Sequence, residues 1–203
     1  PDSPGLLVSA ATANKRERSK EYRKRVPGGI YWRNFERRLR ERFRRDWRNA
    51  IHETQDLGSI GAQSTPSGYV ALVYIDGDGV GKLIKEVVAQ TGFAGYHALS
   101  TTLREAAEAA TAEALADAYS SRAPLRLPDP RTRRRLRNLP FEVITIGGDD
   151  VILICTAEHG LAIACTLSRI YAEQVNRRLQ SLDDLRPAPS FSASAAVVIA
   201  HDS

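Results

Sequence analysis

Asp149 and Asp150 follow a Gly147-Gly148 pair, and these four residues separate two apolar runs, Phe141 to Ile146 and Val151 to Cys155. The runs are short and rich in β-branched residues, so they read as buried strands. Gly-Gly between them reads as a tight turn, because only glycine takes positive φ without penalty. Two carboxylates side by side at a turn need a reason. At ~4 Å, like charges repel by roughly 4 kcal/mol at an effective dielectric of about 20. A bound divalent cation reverses that sign, and a hard ion such as Mg²⁺ suits oxygen donors.

A second acidic element lies upstream. The apolar run Tyr69 to Ile75 leads into Asp76-Gly77-Asp78-Gly79-Val80-Gly81-Lys82, and a helical pattern follows. An acid at a strand end, a glycine loop and a helix N-terminus make a phosphate cradle, since free N–H groups and the helix dipole attract an anion. Lys82 adds a point charge. Placed beside the Gly147–Asp150 hairpin, Asp76 meets Asp149 and Asp150. Three carboxylates then hold one or two metals over a nucleoside triphosphate.

Plainer readings of the same residues are weaker. Asp-Gly pairs are ordinary turn formers. An EF-hand loop starting at Asp76 has Val80 at position five and Val87 at position twelve, where a bidentate Glu is needed. A dinucleotide fingerprint needs G-x-G-x-x-G, and here the glycines run G-x-G-x-G beside acids that repel a pyrophosphate.

The elements that must position these groups follow from periodicity. A helix is expected from about Val80 to Gln90 and another from Tyr96 to Tyr119. In the second, Leu99, Leu103, Ala106, Ala110 and Leu115 face inward and Glu105, Glu108 and Glu113 outward. Residues 120–140 read as an inserted basic loop. A helix from Glu158 to Leu182 presents Leu161, Cys165, Ile170 and Val175, and a last strand runs from Phe191 to Ala200 with small Ser192, Ser194 and Ala195. The order β-α-α-β-β-α-β is α+β and ferredoxin-like, the split βαβ arrangement. Its first and third strands commonly lie side by side, which brings Asp76 to Asp150.

At 203 residues, 42% hydrophobic and 26% charged, the chain holds one domain plus extensions, with no apolar run of membrane-spanning length. We place the compact domain at 68–203, after a basic helical extension and linker over 1–67. Residues 14–50 carry 15 Lys/Arg against 5 Asp/Glu, and residues 122–140 carry 7 Arg against one Asp. Since the net charge is only +5, the remainder is acidic. Phe35, Leu39, Phe43, Trp47 and Ile51 form an apolar stripe on a helix over 31–53 whose other face is arginine, fit to dock on the domain or to meet RNA or a partner. Residues 54–68 read as a flexible linker. Cys155 and Cys165 read as two buried thiols of a reducing cytoplasm. The four histidines read as surface or helix-end residues. Pro1 at the start and the lack of methionine point to a piece of a longer chain.

Asp76-Gly77-Asp78 with its glycine loop and Lys82, the strand–Gly147-Gly148-Asp149-Asp150–strand hairpin and the serine-containing Phe191–His201 strand together resemble the palm polymerase/cyclase domain of the large subunit of type III CRISPR effector complexes, over residues 68–203. The resemblance implies a nucleotidyltransferase that uses Mg²⁺ or Mn²⁺ to convert ATP into cyclic oligoadenylate or a cyclic dinucleotide. It implies Asp76 and Asp149 as metal ligands, Asp150 completing the site, and Gly77, Asp78, Gly79, Gly81, Lys82, Gly147 and Gly148 around the triphosphate. Implied partners are a second palm, guide or target RNA and effector subunits, with no membrane. The nuclease His-Asp pair and zinc cysteines of that large subunit are missing, so the chain reads as a fragment or a minimal stand-alone polymerase. Diguanylate cyclases share the palm, but their hairpin carries Glu-Phe where this chain has Asp150-Val151.

Two rival readings stand beside it. Asp76-Gly77-Asp78-Gly79-Val80 matches the first motif of haloacid-dehalogenase-like phosphatases, whose late acidic pair leads into a loop and helix. Alternatively, the palm is catalytically silent and serves as a structural or RNA-binding subunit.

Overall fold

Alternation along the first strand sets the architecture. In β1 (Tyr69–Gly77), Ala71, Val73 and Ile75 are fully buried, while Leu72, Tyr74 and Asp76 are exposed. With a side-chain period of two, one face meets helices and the other is open. The computed structural model describes residues 35, 37–39, 41–42, 57–119, 126–128, 135–137, 139–181 and 188–202. The chain divides into two compact units, residues 1–37 and 38–203, and the folded sheet belongs to the second.

After β1 come α2 (Val80–Tyr119), β4 (Phe141–Ile146), β5 (Asp150–Thr156), α3 (Gly160–Gln180) and β6 (Ala193–His201). A short helix α1 (Leu57–Gly61) precedes β1, and two three-residue strands, β2 (Arg126–Pro128) and β3 (Arg135–Arg137), lie between α2 and β4. The main sheet has the order β4-β5-β1-β6, with every neighbouring pair antiparallel. The fold is α+β and palm-like, as the element order predicts, and the first and third of the expected strands are indeed neighbours.

The helices cover one face. Val151, Leu153 and Cys155 of β5 lie beneath them with the buried residues of β1. From α2 come Leu99, Leu103, Ala106, Ala110 and Leu115, and from α3 Ile163, Leu167, Tyr171, Val175 and Leu179. Each fully buried Leu, Ile or Val contributes roughly 1.5–3 kcal/mol relative to exposure. Helix α2 is two helices joined at Gly92, whose φ of 66° and ψ of −157° no helix accommodates. The expected break over 91–95 is therefore one left-handed residue wide.

Several expectations are corrected. Leu161 and Cys165 of α3 are exposed, so Cys165 is not a buried thiol. The buried stripe runs through Ile163, Ala164 and Leu167 instead, because the helix meets the sheet on that side. The segment 57–68 is not a free linker. Ile60, Gln63 and Ser64 are buried, Gln63 donates to the Leu139 carbonyl at 3.3 Å, and Ser64 and the Thr65 N–H donate to Glu158 at 3.0 Å. The insertion before β4 is not all loop, since β2 and β3 pair as an antiparallel ribbon with Arg126 opposite Arg137. The last strand starts at Ala193 rather than Phe191. Residues 35, 37–39, 41 and 42 of the basic segment are helical and Leu39 is buried, while Phe43, Trp47, Ile51 and His52 lie outside the described residues. Of the other histidines, His97 and His201 are exposed, and His159 ends the 3₁₀ turn before α3.

Glu108 does not face outward. It is 3% exposed, and its carboxylate lies 3.0 Å from Arg104 Nη1 and 3.5 Å from Arg38 Nε. Arginine from the basic segment thus compensates an acid buried under the helix layer. Glu108→Gln is expected to cost about 1–2 kcal/mol, since both guanidinium groups keep partial solvent access. Glu105→Gln, which breaks the half-exposed pair with Arg178, is expected to cost less than about 0.5 kcal/mol. Urea denaturation of the two variants checks the difference.

Candidate active site

Asp76 and Asp150 are register partners across the β1–β5 ladder, and Ser194 of β6 is the partner of Asp76 on the other side. All three fall on the open face at the same level of the sheet. Neighbouring strands are about 4.8 Å apart, so the two carboxylates meet. Asp76 is held above the usual aspartate range. Desolvation contributes most, followed by its hydrogen bond with Asp150 and by the charges of Asp150, Asp149 and Asp78.

The hairpin turn is closed by the Gly147 N–H donating to the Asp150 carbonyl at 2.7 Å. Two further bonds fix it. The Gly77 N–H donates to the Asp149 carbonyl at 3.1 Å, tying the β1 end to the turn. The Tyr171 hydroxyl of α3 donates to the Gly148 carbonyl at 2.8 Å. Contrary to expectation, neither Gly147 nor Gly148 has positive φ; among the described glycines only Gly68, Gly79 and Gly92 do. A Cβ on Gly148 would meet nothing within 4 Å, and one on Gly147 would make ordinary contacts. Backbone geometry and chain packing do not call for glycine here.

The loop after β1 mixes two kinds of glycine. Gly79 has φ of 65° and its carbonyl accepts the N–H groups of Lys82 and Leu83, which starts α2. Gly77 is needed for close packing, since a Cβ would lie 2.9 Å from Val80 Cγ2 and 3.0 Å from Phe191 Cε2. Gly81 has an ordinary φ and open space around it. By helix geometry, the first-turn N–H groups of Val80 and Gly81 lack an intrahelical acceptor. Lys82 is 83% exposed, and its ammonium lies 3.7 Å from Glu86, one turn along the helix.

Asp78 is anchored rather than free. Its two carboxylate oxygens accept the hydroxyls of Ser192 at 2.7 Å and Ser194 at 2.6 Å, and its N–H donates to the Ser192 carbonyl. The two hydroxyls lower its pKa and keep it ionised. Asn176 of α3 fixes the approach to β6, bonding the N–H and carbonyl of Phe191 at 2.8 Å each. The Phe191 ring meets Tyr171 edge-on at 5.0 Å. One helix therefore braces both the hairpin turn and the serines that hold Asp78.

The structure thus gathers Asp76, Asp78 and Asp150 at one end of the open face, with the turn beside them. Asp149 enters through its backbone and through the field it exerts on Asp76. Among the described residues, no three His, Cys, Asp or Glu side chains form a metal-holding group. The donor set is the Asp76–Asp150 pair. It fits a hard divalent cation by chemistry, because two oxygen donors with one raised pKa have no ion-pair partner among the described residues. Asp150 heads a strand that runs on to Thr156, so the acidic pair leads into a sheet and not into the loop and helix of a phosphatase.

Tyr171, Asn176, Ser192 and Ser194 make contacts that sequence reading missed, as does Tyr74, whose hydroxyl donates to Asp150 Oδ1. Tyr74 was within reach, since it precedes Asp76 by two residues in an alternating strand. Ser192 and Ser194 were noted only for their size. No sequence signal ties Tyr171 and Asn176 to turns so distant in the chain.

A model of the second palm domain of Cas10/Cmr2 matches residues 69–203. The chain belongs to the Cas10/Cmr2 second-palm family. The match begins at β1 and takes in both acidic motifs of this palm. No curated protein matches the sequence. Among solved structures, the active GGEEF domain of a diguanylate cyclase from Vibrio cholerae is similar at 15% identity, covering 71% of each chain with a TM-score of 0.33.

Without a cation, the Asp76 carboxyl keeps its proton to higher pH folded than unfolded. The folded state then binds more protons, so stability is lost as pH rises from the ordinary aspartate value through the raised one. Asp76→Asn removes that penalty. In EDTA at pH 7 the variant is expected to melt above the wild type, with the gain vanishing near pH 4. Scanning calorimetry at the two pH values checks it.

Proposed function

We propose that this palm is a divalent-metal-dependent nucleotidyltransferase that converts ATP to cyclic oligoadenylate or a cyclic dinucleotide. The observation that carries the reading is the Asp76–Asp150 pair, two like charges set opposite each other in register on an open sheet face. Such a pair is costly unless a cation joins it. Mg²⁺ or Mn²⁺ bound there would acidify an attacking ribose hydroxyl and neutralise charge on the α-phosphate and leaving pyrophosphate.

The chain's own residues do the rest. Asp76 and Asp150 supply hard oxygen ligands, and Asp149 completes the acidic field. Asp78, held ionised by Ser192 and Ser194, stays beside them as a fixed negative charge. Gly147, Gly148 and Gly81 have no conformational reason to be glycine, and bare backbone there leaves room for a triphosphate to approach. The α2 N-terminus offers N–H groups to its phosphates. Lys82 is a mobile charge at the rim, able to leave the weak surface pair with Glu86. Among the described residues no His or Lys adjoins the pair, and catalysis would rest on positioning and charge stabilisation.

Cas10/Cmr2 membership supports a place in a CRISPR effector assembly, with a second palm completing a two-nucleotide site and guide or target RNA as partners. The palm domain is placed at 68–203 and its setting in the cytoplasm. Among the described residues, no helix is long and apolar enough to cross a membrane.

Incubation with Mg²⁺ and each NTP, with products read by mass spectrometry, tests the proposal. Oligoadenylate is expected from ATP, with Asp76→Asn and Asp150→Asn each lowering the yield at least about 100-fold. Product formation that survives either substitution would refute the assignment.

A further inference from the structure

On β1, Tyr74 shares the open face with Asp76, two residues on. Its direct partner on β5 is Ile152, yet its hydroxyl donates to Asp150 Oδ1 at 2.9 Å. The contact is diagonal across the ladder. Diagonal neighbours lie about 7–8 Å apart, a span that only an aromatic or long side chain bridges. On the other flank the register partner is Ala196, which leaves the ring free to lean toward β5.

Core packing does not explain this residue. Tyr74 is 38% exposed on the open face of the sheet. The buried positions of β1 use Ala, Val and Ile, and an aliphatic residue would serve equally for strand propensity. What the phenol alone provides is a donor at the carboxylate. Asp150 has two oxygens. With Oδ1 engaged by the phenol, the carboxylate is restrained in rotation, and its second oxygen remains for Asp76 or a cation.

We propose that Tyr74 is a positioning residue of this site, whose hydroxyl orients the Asp150 carboxylate and thereby sets the affinity of the Asp76–Asp150 pair for a divalent cation. The proposal rests on the metal-site reading above. Outer-shell hydrogen bonds to ligating carboxylates typically change metal affinity 10–100-fold. Tyr74 acts before any nucleotide binds, so its effect is visible with metal alone.

The test is Mn²⁺ binding to the full 203-residue chain, followed by loss of the free-ion electron paramagnetic resonance signal. Tyr74→Phe keeps the ring and is expected to weaken Mn²⁺ about tenfold. Its Tm in EDTA is expected to stay within about 1 °C of wild type, as for other exposed substitutions. Leu72→Ala, on the same open face, is expected to leave Mn²⁺ affinity unchanged. In an Asp150→Asn background, Tyr74→Phe is expected to add no further loss, because the hydroxyl acts through that carboxylate. Wild-type affinity in Tyr74→Phe overturns the proposal, and so does an equal loss with and without Asp150. If Asp150→Asn itself binds Mn²⁺ as tightly as wild type, the metal-site reading falls and this inference falls with it.

Discussion

Asp76 and Asp150 oppose each other in the register of β1 with β5, and their repulsion is the constraint around which the rest is arranged. In water such a pair would swing apart. Here each carboxylate is one residue of a paired strand, so its position is set by backbone hydrogen bonds and by the burial of Val73, Ile75, Val151 and Leu153 beneath it. A one-residue slip would put those side chains on the open face and the acids inside. The apolar core therefore holds the charges together, and the free energy of the fold offsets a local electrostatic cost.

The bracing around the pair follows the same logic. Helix α3 lies on the covered face, yet two of its side chains reach the rim. Tyr171 bonds the turn at Gly148, and Asn176 bonds the backbone ahead of β6. Both targets are short connections that would otherwise fray. Because they are tied to one rigid helix, the hairpin turn and the Ser192–Ser194 segment keep a fixed spacing. Asp78 then sits between them as an anchored charge, while the site stays open to solvent on the other side. Such an arrangement suits a reaction that depends on positioning and on metal-held charge.

The basic segment enters at a different level. Arg38 and Arg42 pair with Glu108 and Glu113 of α2. A run of arginine that reads in the sequence as a face fit to dock on the domain or to meet RNA thus has part of its charge matched by the domain's own acids. Alternation and helical period cannot reveal this. Glu108 keeps a polar pattern while lying under a neighbouring segment, and a pattern records residue type without recording what covers it.

How much was legible follows from range. Period-two runs and glycine-rich turns are local signals, and they sufficed for the strands, the element order and the two acidic motifs. Side-by-side placement of β1 and β5 follows from that order, because the ferredoxin-like topology admits few sheet arrangements. The sequence alone therefore determined the palm fold and marked Asp76, Asp78, Asp149 and Asp150 as the acids of its two glycine-rich turns. Tertiary structure alone decided that Asp78 is bound by two serines, that Gly147 and Gly148 are glycine for reasons outside their own backbone, and that Tyr74 reaches Asp150. Each of these depends on strand register or on contacts between residues far apart in the chain. Such distances of a few ångströms arise from packing of the whole domain and leave no trace in the spacing of residue types.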